Sequence, residues 1–258
     1  MRSFRSIANA SIACTSILLC LVALPGQAEF CFEELQWTSV ASSADGTRLV
    51  AGTFDRPIFT SMDRGLKWTR QDSGSFRVRS LASSADGTRL VFAVDNGQLY
   101  TSNNGGVTLT ARESRRGWQC VSSSADGTRL VAVDGIGEDG RGGFIYASTD
   151  GGVSWVAREG SGARPWSSVA SSADGTRLVA AEPGLANRGG LLYTSIDGGV
   201  TWTARGAGAL AWKSVASSAD GMRLIAATGN LQLYTSTDGG ENWVPRESNR
   251  QWRSVASS

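Results

Sequence analysis

Histidine is absent from the 258-residue chain, and lysine occurs only twice, at Lys67 and Lys213. Without histidine the chain has no Ser-His-Asp or Cys-His nucleophile and no histidine-ligated zinc or iron. Cysteine occurs only at positions 14, 20, 31 and 120. These absences exclude the commonest catalytic centres of hydrolases, and the composition alone predicts neither a metal site nor a cofactor.

The first 28 residues have the pattern of a secretory signal peptide. Arg2 and Arg5 precede an apolar run over 12–24, and residues 25–28 supply small side chains at a cleavage site after Ala28. The apolar run is short for a membrane span. We therefore predict a secreted or periplasmic chain of residues 29–258 without a stable membrane span.

The predicted mature chain has no net charge. The full sequence has 25 basic and 23 acidic residues, so removal of Arg2 and Arg5 leaves 23 of each. Phosphate binding needs a basic surplus, so we expect no nucleic-acid partner. Cys31 and Cys120 remain, and export permits a disulfide between them, but they lie far apart in the repeats described next, so their pairing stays open.

One phrase recurs along the chain: Trp-x-Ser-Val-Ala-Ser-Ser-Ala-Asp-Gly-Thr-Arg-Leu-Val-Ala. Copies begin at 37, 118, 166 and 212, and a copy with valine in the first place begins at 78. Their Asp-Gly pairs are separated by 41, 40, 48 and 46 residues. This period is typical of the four-stranded blades of a β-propeller.

A second phrase, Leu-Tyr-Thr-Ser-x-Asp-Gly-Gly-x-Thr-Trp, follows within each unit, and its second copy is degenerate, with Asn104 for aspartate and Leu109 for tryptophan. The Ser-x-Asp-x-Gly-x-Thr-Trp pattern resembles the Asp box of sialidase-type (BNR) β-propellers over 37–258. The repeats also look like those of photosystem II assembly-factor propellers and of xyloglucan-cleaving hydrolases. We interpret the box residues as folding staples: Asp63, Asn104, Asp150, Asp197 and Asp238.

The predicted fold is all-β, a propeller of five complete four-stranded repeats and the first strand of a sixth. Turn residues bound four strand-like runs in each unit, which in the fourth unit cover 166–171, 177–181, 191–194 and 200–205. The units start near 37, 78, 118, 166, 212 and 252. The sixth is either the start of a longer array or pairs with 29–36. We expect an open ring to be marginally stable, or to self-associate through its blade edges.

Three residue types recur at fixed places in the units, which favours structural roles. The second-strand arginines are predicted to form ion pairs between blades (Arg48, Arg89, Arg129, Arg177 and Arg223). Tryptophans that open the first strands are predicted to pack in the core, with stacking on a sugar as the alternative. The tyrosines share one position before the Asp box and are predicted to pack there (Tyr100, Tyr146, Tyr193 and Tyr234).

A specific site is expected on one face of the ring. Antiparallel strands place the second–third loops and the inter-blade loops on the same face, and these loops differ between units, above all at 134–143 and 182–190. Candidate binding residues lie there: Asp95, Asp134, Glu138, Asp139, Arg141, Glu182 and Arg188. Their carboxylates suit an acid/base pair for a glycoside or a hard cation, or are loop charges balanced by Arg141 and Arg188.

Catalytic residues are not assigned. Sialidases that share this repeat carry an arginine triad, a Tyr–Glu nucleophile pair and an early Arg-Ile-Pro motif, whereas here the nearest stretch, 54–58, reads Phe-Asp-Arg-Pro-Ile. The glycine motif at 135–140 lacks the helix of a dinucleotide site and predicts no cofactor. The sequence therefore favours a non-enzymatic binding propeller for a protein or glycan partner, with a glycoside hydrolase as the alternative.

Overall fold

A computed structural model of the chain describes residues 12–13, 35–54, 57–71, 74, 77–136, 141–185, 188–229, 232–247, 250 and 252–257. Apart from one 3-10 turn at Glu159–Ser161, the regular structure of these residues is β. The strands are β1 (Ile12–Ala13), β2 (Trp37–Ser42), β3 (Leu49–Thr53), β4 (Phe59–Ser61), β5 (Thr69–Arg70), β6 (Val78–Ser83), β7 (Leu90–Val94), β8 (Gly97–Ser102), β9 (Thr110–Arg116), β10 (Trp118–Ser123), β11 (Leu130–Asp134), β12 (Ile145–Ser148), β13 (Val156–Arg158), β14 (Ser168–Ser171), β15 (Leu178–Ala181), β16 (Gly184–Leu185), β17 (Arg188–Ser195), β18 (Thr203–Leu210), β19 (Trp212–Ser217), β20 (Leu224–Thr228), β21 (Leu233–Ser236) and β22 (Val244–Arg246).

The strands form five antiparallel sheets that follow the sequence repeats, and we call these sheets blades one to five. Blades one, two, three and five contain β2–β5, β6–β9, β10–β13 and β19–β22, and blade four contains β14, β15, β17 and β18. The two-residue strand β1 pairs with β2, and β16 pairs with β17. The structure thus confirms the predicted all-β propeller. Within the described residues no helix is long and apolar enough to cross a bilayer.

Both hairpins of a blade are closed by an aspartate turn. In the first hairpin of blade one, Ser43 Oγ and Thr47 N donate to Asp45 Oδ1 at 2.6 and 3.0 Å, and Gly46 adopts a φ of 70°. Such a φ strongly favours glycine, which explains the recurring Asp-Gly pair. The Asp box closes the second hairpin in the same way, since Ser195 Oγ and Thr201 N donate to Asp197 Oδ1 at 2.7 and 2.9 Å.

All five predicted box residues occupy this turn. The serine two residues earlier donates to the side-chain oxygen of each box residue, at distances of 2.7–2.9 Å for Asp63, Asn104, Asp150, Asp197 and Asp238. Where the box ends in tryptophan, its indole N–H also donates to a turn carbonyl in three copies, as Trp202 does to Gly199 at 2.9 Å. Hydrogen bonds to the ionised carboxyl hold the pKa of Asp150 at about 2, with the Ser154 hydroxyl as the largest contributor.

Two sets of hydrogen bonds join consecutive blades. Where the third residue of the first-strand phrase is serine, its hydroxyl accepts a backbone N–H from the following repeat, as Ser39 Oγ does from Leu81 at 3.1 Å and Ser168 Oγ from Val215 at 3.1 Å. In blade three this residue is Cys120, whose thiol donates to the Val169 carbonyl at 3.6 Å instead. At the Asp-Gly turns, alanine N–H groups donate to the equivalent alanine carbonyl of the next blade at 2.7–2.8 Å (Ala44 to Ala85, Ala85 to Ala125, Ala125 to Ala173 and Ala173 to Ala219). The repeated sequence therefore encodes the contacts between blades as well as the turns within them.

The core lies between the faces of neighbouring blades. Trp118, Trp166 and Trp212 are buried, and each packs edge-on against the tyrosine of the third strand in its own blade, with ring centroids 5.1 Å apart. The structure thus supports packing for these tryptophans and leaves them unavailable for stacking on a sugar.

The second-strand arginines reach the next blade, but with the carboxylates that the structure describes they do not form the predicted ion pairs. A Cβ on Gly87 would lie 2.7 Å from Cβ of Arg48, and the same contact recurs between Arg89 and Gly127. Among the described residues the ion pairs join other arginines to carboxylates. The arginine stem therefore covers a turn glycine, which has room for it because it lacks a side chain.

Residues 252–257 continue the array on the outer flank of blade five. Val255 N donates to Ser214 Oγ at 3.2 Å, the same link that joins the complete blades, and Val255 packs on Ala216 and Ala227. This arrangement is consistent with a partial sixth blade. The alternative pairing with 29–36 falls largely outside the described residues, as does Cys31, whereas Cys120 is a buried free thiol.

Candidate functional site

The face of the ring that carries the variable loops, which we call the variable face, is formed by the blade edges at which the first strand begins and the second strand ends. These two ends pair directly, for example Trp118 with Asp134 and Trp212 with Thr228. In every blade the second strand begins at a leucine, and the residue four positions after that leucine lies at this edge. We call it the strand-end position. From blade one to blade five its occupants are Thr53, Val94, Asp134, Glu182 and Thr228, so only blades one and five share a residue type.

All five strand-end residues are buried, yet only blades three and four place a carboxylate there. The threonines of blades one and five are satisfied locally, because Thr53 Oγ1 donates to the Pro57 carbonyl at 3.2 Å and Thr228 Oγ1 to the Gln232 carbonyl at 3.1 Å. A buried carboxylate costs far more unless it is paired. The strand-end position therefore marks the two blades whose chemistry departs from the repeat.

Glu182 is fully buried, and both of its side-chain oxygens have partners. Arg188 Nη2 donates to Oε1 at 2.5 Å, Arg164 Nη1 lies 3.5 Å from Oε2, and the Tyr193 hydroxyl donates to Oε2 at 3.3 Å. The Arg164 guanidinium also lies over the Tyr193 ring, 4.7 Å from its centroid. Burial raises the pKa of the Tyr193 hydroxyl, which keeps it protonated and able to donate. We call these four residues the Glu182 cluster.

Blade three has a related arrangement around Asp134, which is 8% exposed. The Arg116 guanidinium lies over the Tyr146 ring, 4.8 Å from its centroid, and burial raises the pKa of Tyr146 while the Arg116 charge lowers it. Asp134 sits in a space that glycine provides, since a Cβ on Gly143 would lie 2.4 Å from its carboxyl carbon. Arginine, tyrosine and carboxylate thus recur at equivalent places in two consecutive blades.

The other predicted site residues are more dispersed. Asp95 follows the strand end of blade two and accepts from Arg79 Nε at 3.1 Å. Arg141 is exposed on the loop of blade three, and Arg188 belongs to the Glu182 cluster. Glu138 and Asp139 lie outside the described residues. The interpretation of loop charges balanced by arginine holds for the Arg188–Glu182 contact, but Glu182 and Asp134 are buried and not solvated loop charges.

Sequence reasoning did not single out Arg164, which belongs to the Glu182 cluster, or Arg116, which lies over the Tyr146 ring in blade three. Each stands two residues before the tryptophan that opens its blade, in Arg-Gly-Trp and Arg-Pro-Trp respectively. The equivalent residue of blade five is Leu210, which accompanies Thr228 at the strand end. The signal was therefore the joint appearance of an arginine and a carboxylate in the same two repeats.

The polar groups of the Glu182 cluster are already engaged with one another. A general acid or base needs a free oxygen to exchange a proton with substrate, whereas Glu182 already accepts from the Arg188 guanidinium and the Tyr193 hydroxyl and lies 3.5 Å from the Arg164 guanidinium. A tyrosine nucleophile would be activated by a lowered pKa, whereas burial raises the pKa of Tyr193. In the ranges that the structure describes, no group of three acidic or cysteine side chains is placed to bind a metal ion.

Comparisons with known proteins agree with the propeller architecture. The BNR/Asp-box repeat model matches residues 234–245, which span the fifth Asp box. No curated protein matches the chain in sequence.

Similar solved structures include two kinds of propeller. A GH74 xyloglucanase from Xanthomonas campestris has a TM-score of 0.60 and 20% identity over 80% of this chain, and an ancestral GH74 enzyme has 0.64 and 18% over 98%. YCF48 from Cyanidioschyzon merolae has 0.58 and 18% over 82% of this chain and 72% of its own. The chain spans only 37% and 33% of the two GH74 proteins. At these identities the likeness establishes the fold alone.

Proposed function

We propose that the chain is a non-enzymatic binding propeller whose variable face contacts a protein partner at blades three and four. The observation that carries this proposal is the Glu182 cluster, a buried, fully paired carboxylate that departs from the repeat. Its two arginines reach the surface, where the Arg164 and Arg188 side chains are 30% and 59% exposed. A rigid framework that presents arginine at a fixed place suits protein interfaces, where arginine is enriched.

A protein partner fits the described surface better than a glycan. Sugars are commonly bound on exposed aromatic rings, but the tryptophans that open the first-strand phrases of blades three, four and five are buried. Phe54 is 39% exposed at this face, and the Arg77 guanidinium lies over its ring at 4.6 Å from the centroid. Flat apolar platforms are therefore scarce on the variable face as described.

Glycoside hydrolysis is the second candidate, because Asp134 and Glu182 occupy equivalent buried positions in adjacent blades. The proposed absence of activity rests on the pairing of Glu182 and on the packing of the tyrosines. The purified chain is expected not to cleave sialyl or xyloglucan reporters. Turnover that is abolished by Glu182→Gln or Asp134→Asn would establish the hydrolase instead.

We further propose that the chain is exported and processed after Ala28, on the basis of the N-terminal sequence pattern. N-terminal sequencing of the protein recovered from an exporting host is expected to begin at Glu29. A sequence that begins at Met1 would contradict the proposal.

Partner binding can be tested with variants on opposite faces. Arg188→Ala removes an exposed guanidinium from the Glu182 cluster, and Lys67→Ala removes an exposed charge from the opposite face, where the Asp boxes lie. A partner captured by cross-linking should lose affinity about tenfold or more with Arg188→Ala, the scale of an interface hot spot, and keep its affinity with Lys67→Ala. Melting curves of both variants separate loss of binding from loss of folding. Equal affinities for the two variants, with both folded, would contradict the proposed face.

A further inference from the structure

The hairpin between β7 and β8 closes through Asp95 and Asn96 on the variable face of blade two. Asn96 has a φ of 48°, a left-handed conformation that asparagine tolerates better than most residues. The next residue must be small, because a Cβ on Gly97 would lie 2.6 Å from Cγ1 of Val94. The turn geometry therefore selects an Asn-Gly pair, and it exposes the asparagine to solvent.

We propose that Asn96 is a site of spontaneous deamidation. The backbone nitrogen of Gly97 attacks Cγ of Asn96, the side-chain nitrogen leaves as ammonia, and a cyclic imide forms. Water then opens the imide at either carbonyl to give aspartate or isoaspartate, so one water is consumed, one ammonia is released and no electrons are transferred. Glycine at the attacking position offers no side chain to hinder the approach.

The contacts of Asn96 leave its carboxamide ready to react. Among the described residues its hydrogen bond is to the backbone, where the carbonyl accepts from Arg115 Nε at 3.3 Å, and its side chain has no partner. The side chain can therefore rotate toward the Gly97 nitrogen without breaking a hydrogen bond of its own.

The second Asn-Gly pair in the chain, Asn104-Gly105, is a natural control. Asn104 Oδ1 accepts from Ser102 Oγ at 2.9 Å and from Thr108 N at 3.0 Å, and Nδ2 donates to Thr108 Oγ1 at 2.9 Å. The Gly105 nitrogen that would attack is itself bound to the Thr88 carbonyl at 2.8 Å. Attack at Asn104 must break these hydrogen bonds, so the Asp-box turn protects a pair that the sequence alone marks as equally labile.

Deamidation of Asn96 would change the charge of the variable face. It creates a carboxylate beside Asp95, which already accepts from Arg79 Nε at 3.1 Å, and near Arg115. The modified chain therefore carries one more negative charge on blade two. This inference does not depend on the identity of the binding partner.

Incubation of the purified folded chain at mildly alkaline pH, followed by peptide mass spectrometry, tests the proposal. Both asparagines lie in the tryptic peptide 90–112, so fragment ions assign the amide-to-acid mass change to one residue. Conversion at Asn96 should be at least about tenfold faster than at Asn104, because each hydrogen bond that must break before attack slows the reaction at Asn104 by several-fold.

Two controls complete the test. In urea the two asparagines should convert at similar rates, because the turn hydrogen bonds are gone. In the Asn96→Asp variant, conversion of the folded chain should be slow and confined to Asn104. The proposal would be overturned if the two asparagines of the folded chain converted at equal rates, or if Asn104 converted faster. It would also be overturned if Asn96 of the folded chain stayed unmodified over the time in which the urea sample had converted.

Discussion

Replacement of Asp197 by alanine tests whether the Asp box is a folding staple. The carboxylate accepts from Ser195 Oγ at 2.7 Å, from Thr201 N at 2.9 Å and from Thr201 Oγ1 at 2.6 Å. Water can replace part of these bonds because the turn is exposed, so we expect a loss of about 1–2 kcal/mol in the free energy of unfolding and not their full sum. Affinity for any partner should be unchanged, because Asp197 lies on the face opposite the Glu182 cluster.

The degenerate second box supplies the control, because Asn104 already occupies the aspartate position. Its amide accepts from Ser102 and Thr108 and donates to the Thr108 hydroxyl. Asp197→Asn should therefore destabilise the chain less than Asp197→Ala, as measured by urea denaturation at neutral pH. The staple interpretation fails if alanine and asparagine cost the same, or if partner affinity collapses while the unfolding curve stays in place.

The difference between Asp197 and its asparagine variant should also depend on pH. Burial raises the pKa of Asp197, but the hydrogen bonds from Thr201 and Ser195 outweigh it and lower the pKa to about 2 from the ordinary 3.8. A carboxyl whose pKa is lowered by folding contributes stability that is present above the ordinary pKa and lost as the pH falls through the folded one. The advantage of aspartate over asparagine should therefore shrink between about pH 4 and pH 2.

Three further predictions concern other parts of the ring. Glu182→Gln should reduce the free energy of unfolding by about 2 kcal/mol, less than for a fully buried ion pair because Arg164 and Arg188 are partly exposed, and an equally stable variant in thermal melts would refute the pairing. Cys120→Ser should change the free energy of unfolding by less than about 1 kcal/mol, because serine fills this position in the other blades. In the unsubstituted chain, burial raises the pKa of the Cys120 thiol, so this thiol should react with thiol reagents only on unfolding. The urea concentration at the unfolding midpoint should decrease as the pH is lowered from about 4 to 2, because turn hydrogen bonds lower the pKa of several aspartates to about 2. These aspartates are Asp45, Asp126, Asp150 and Asp174. A midpoint that stays constant from about pH 5 to pH 2 would count against these bonds.

Blade boundaries could be predicted from the sequence because each blade repeats its own turn chemistry. The predicted second strand of the fourth unit, 177–181, agrees with β15 at Leu178–Ala181 to within one residue. The third and fourth strands of that unit are longer than predicted, since β17 and β18 cover Arg188–Ser195 and Thr203–Leu210. Their extension includes a bulge and several glycines that approach neighbouring backbone closely, which no repeat consensus encodes.

The contacts of the arginines could not be predicted from charge patterns. A recurrent arginine near recurrent aspartates suggests ion pairs, but the aspartates are already satisfied by serine and threonine in their own turns. The Arg48 stem instead fills the space beside Gly87, a position that is defined only when two blades are stacked. Likewise the Glu182 cluster joins Arg164 to Glu182 across loops of irregular length, so neither residue identifies the other in the sequence.

At one strand position, blade four carries a charge that the stability of a blade does not require. The strand-end residue is buried in every blade, and threonine or valine suffices there in blades one, two and five. Blade four places a glutamate at the same position, where it needs Arg164, Arg188 and Tyr193 to compensate its burial. Blade stability alone does not call for this arrangement, since blade five forms with Leu210 and Thr228 at the equivalent places. The additional charged residues are therefore the feature of blade four on which the proposed protein-binding surface rests, because the two arginines emerge there beside the loops that differ most between blades.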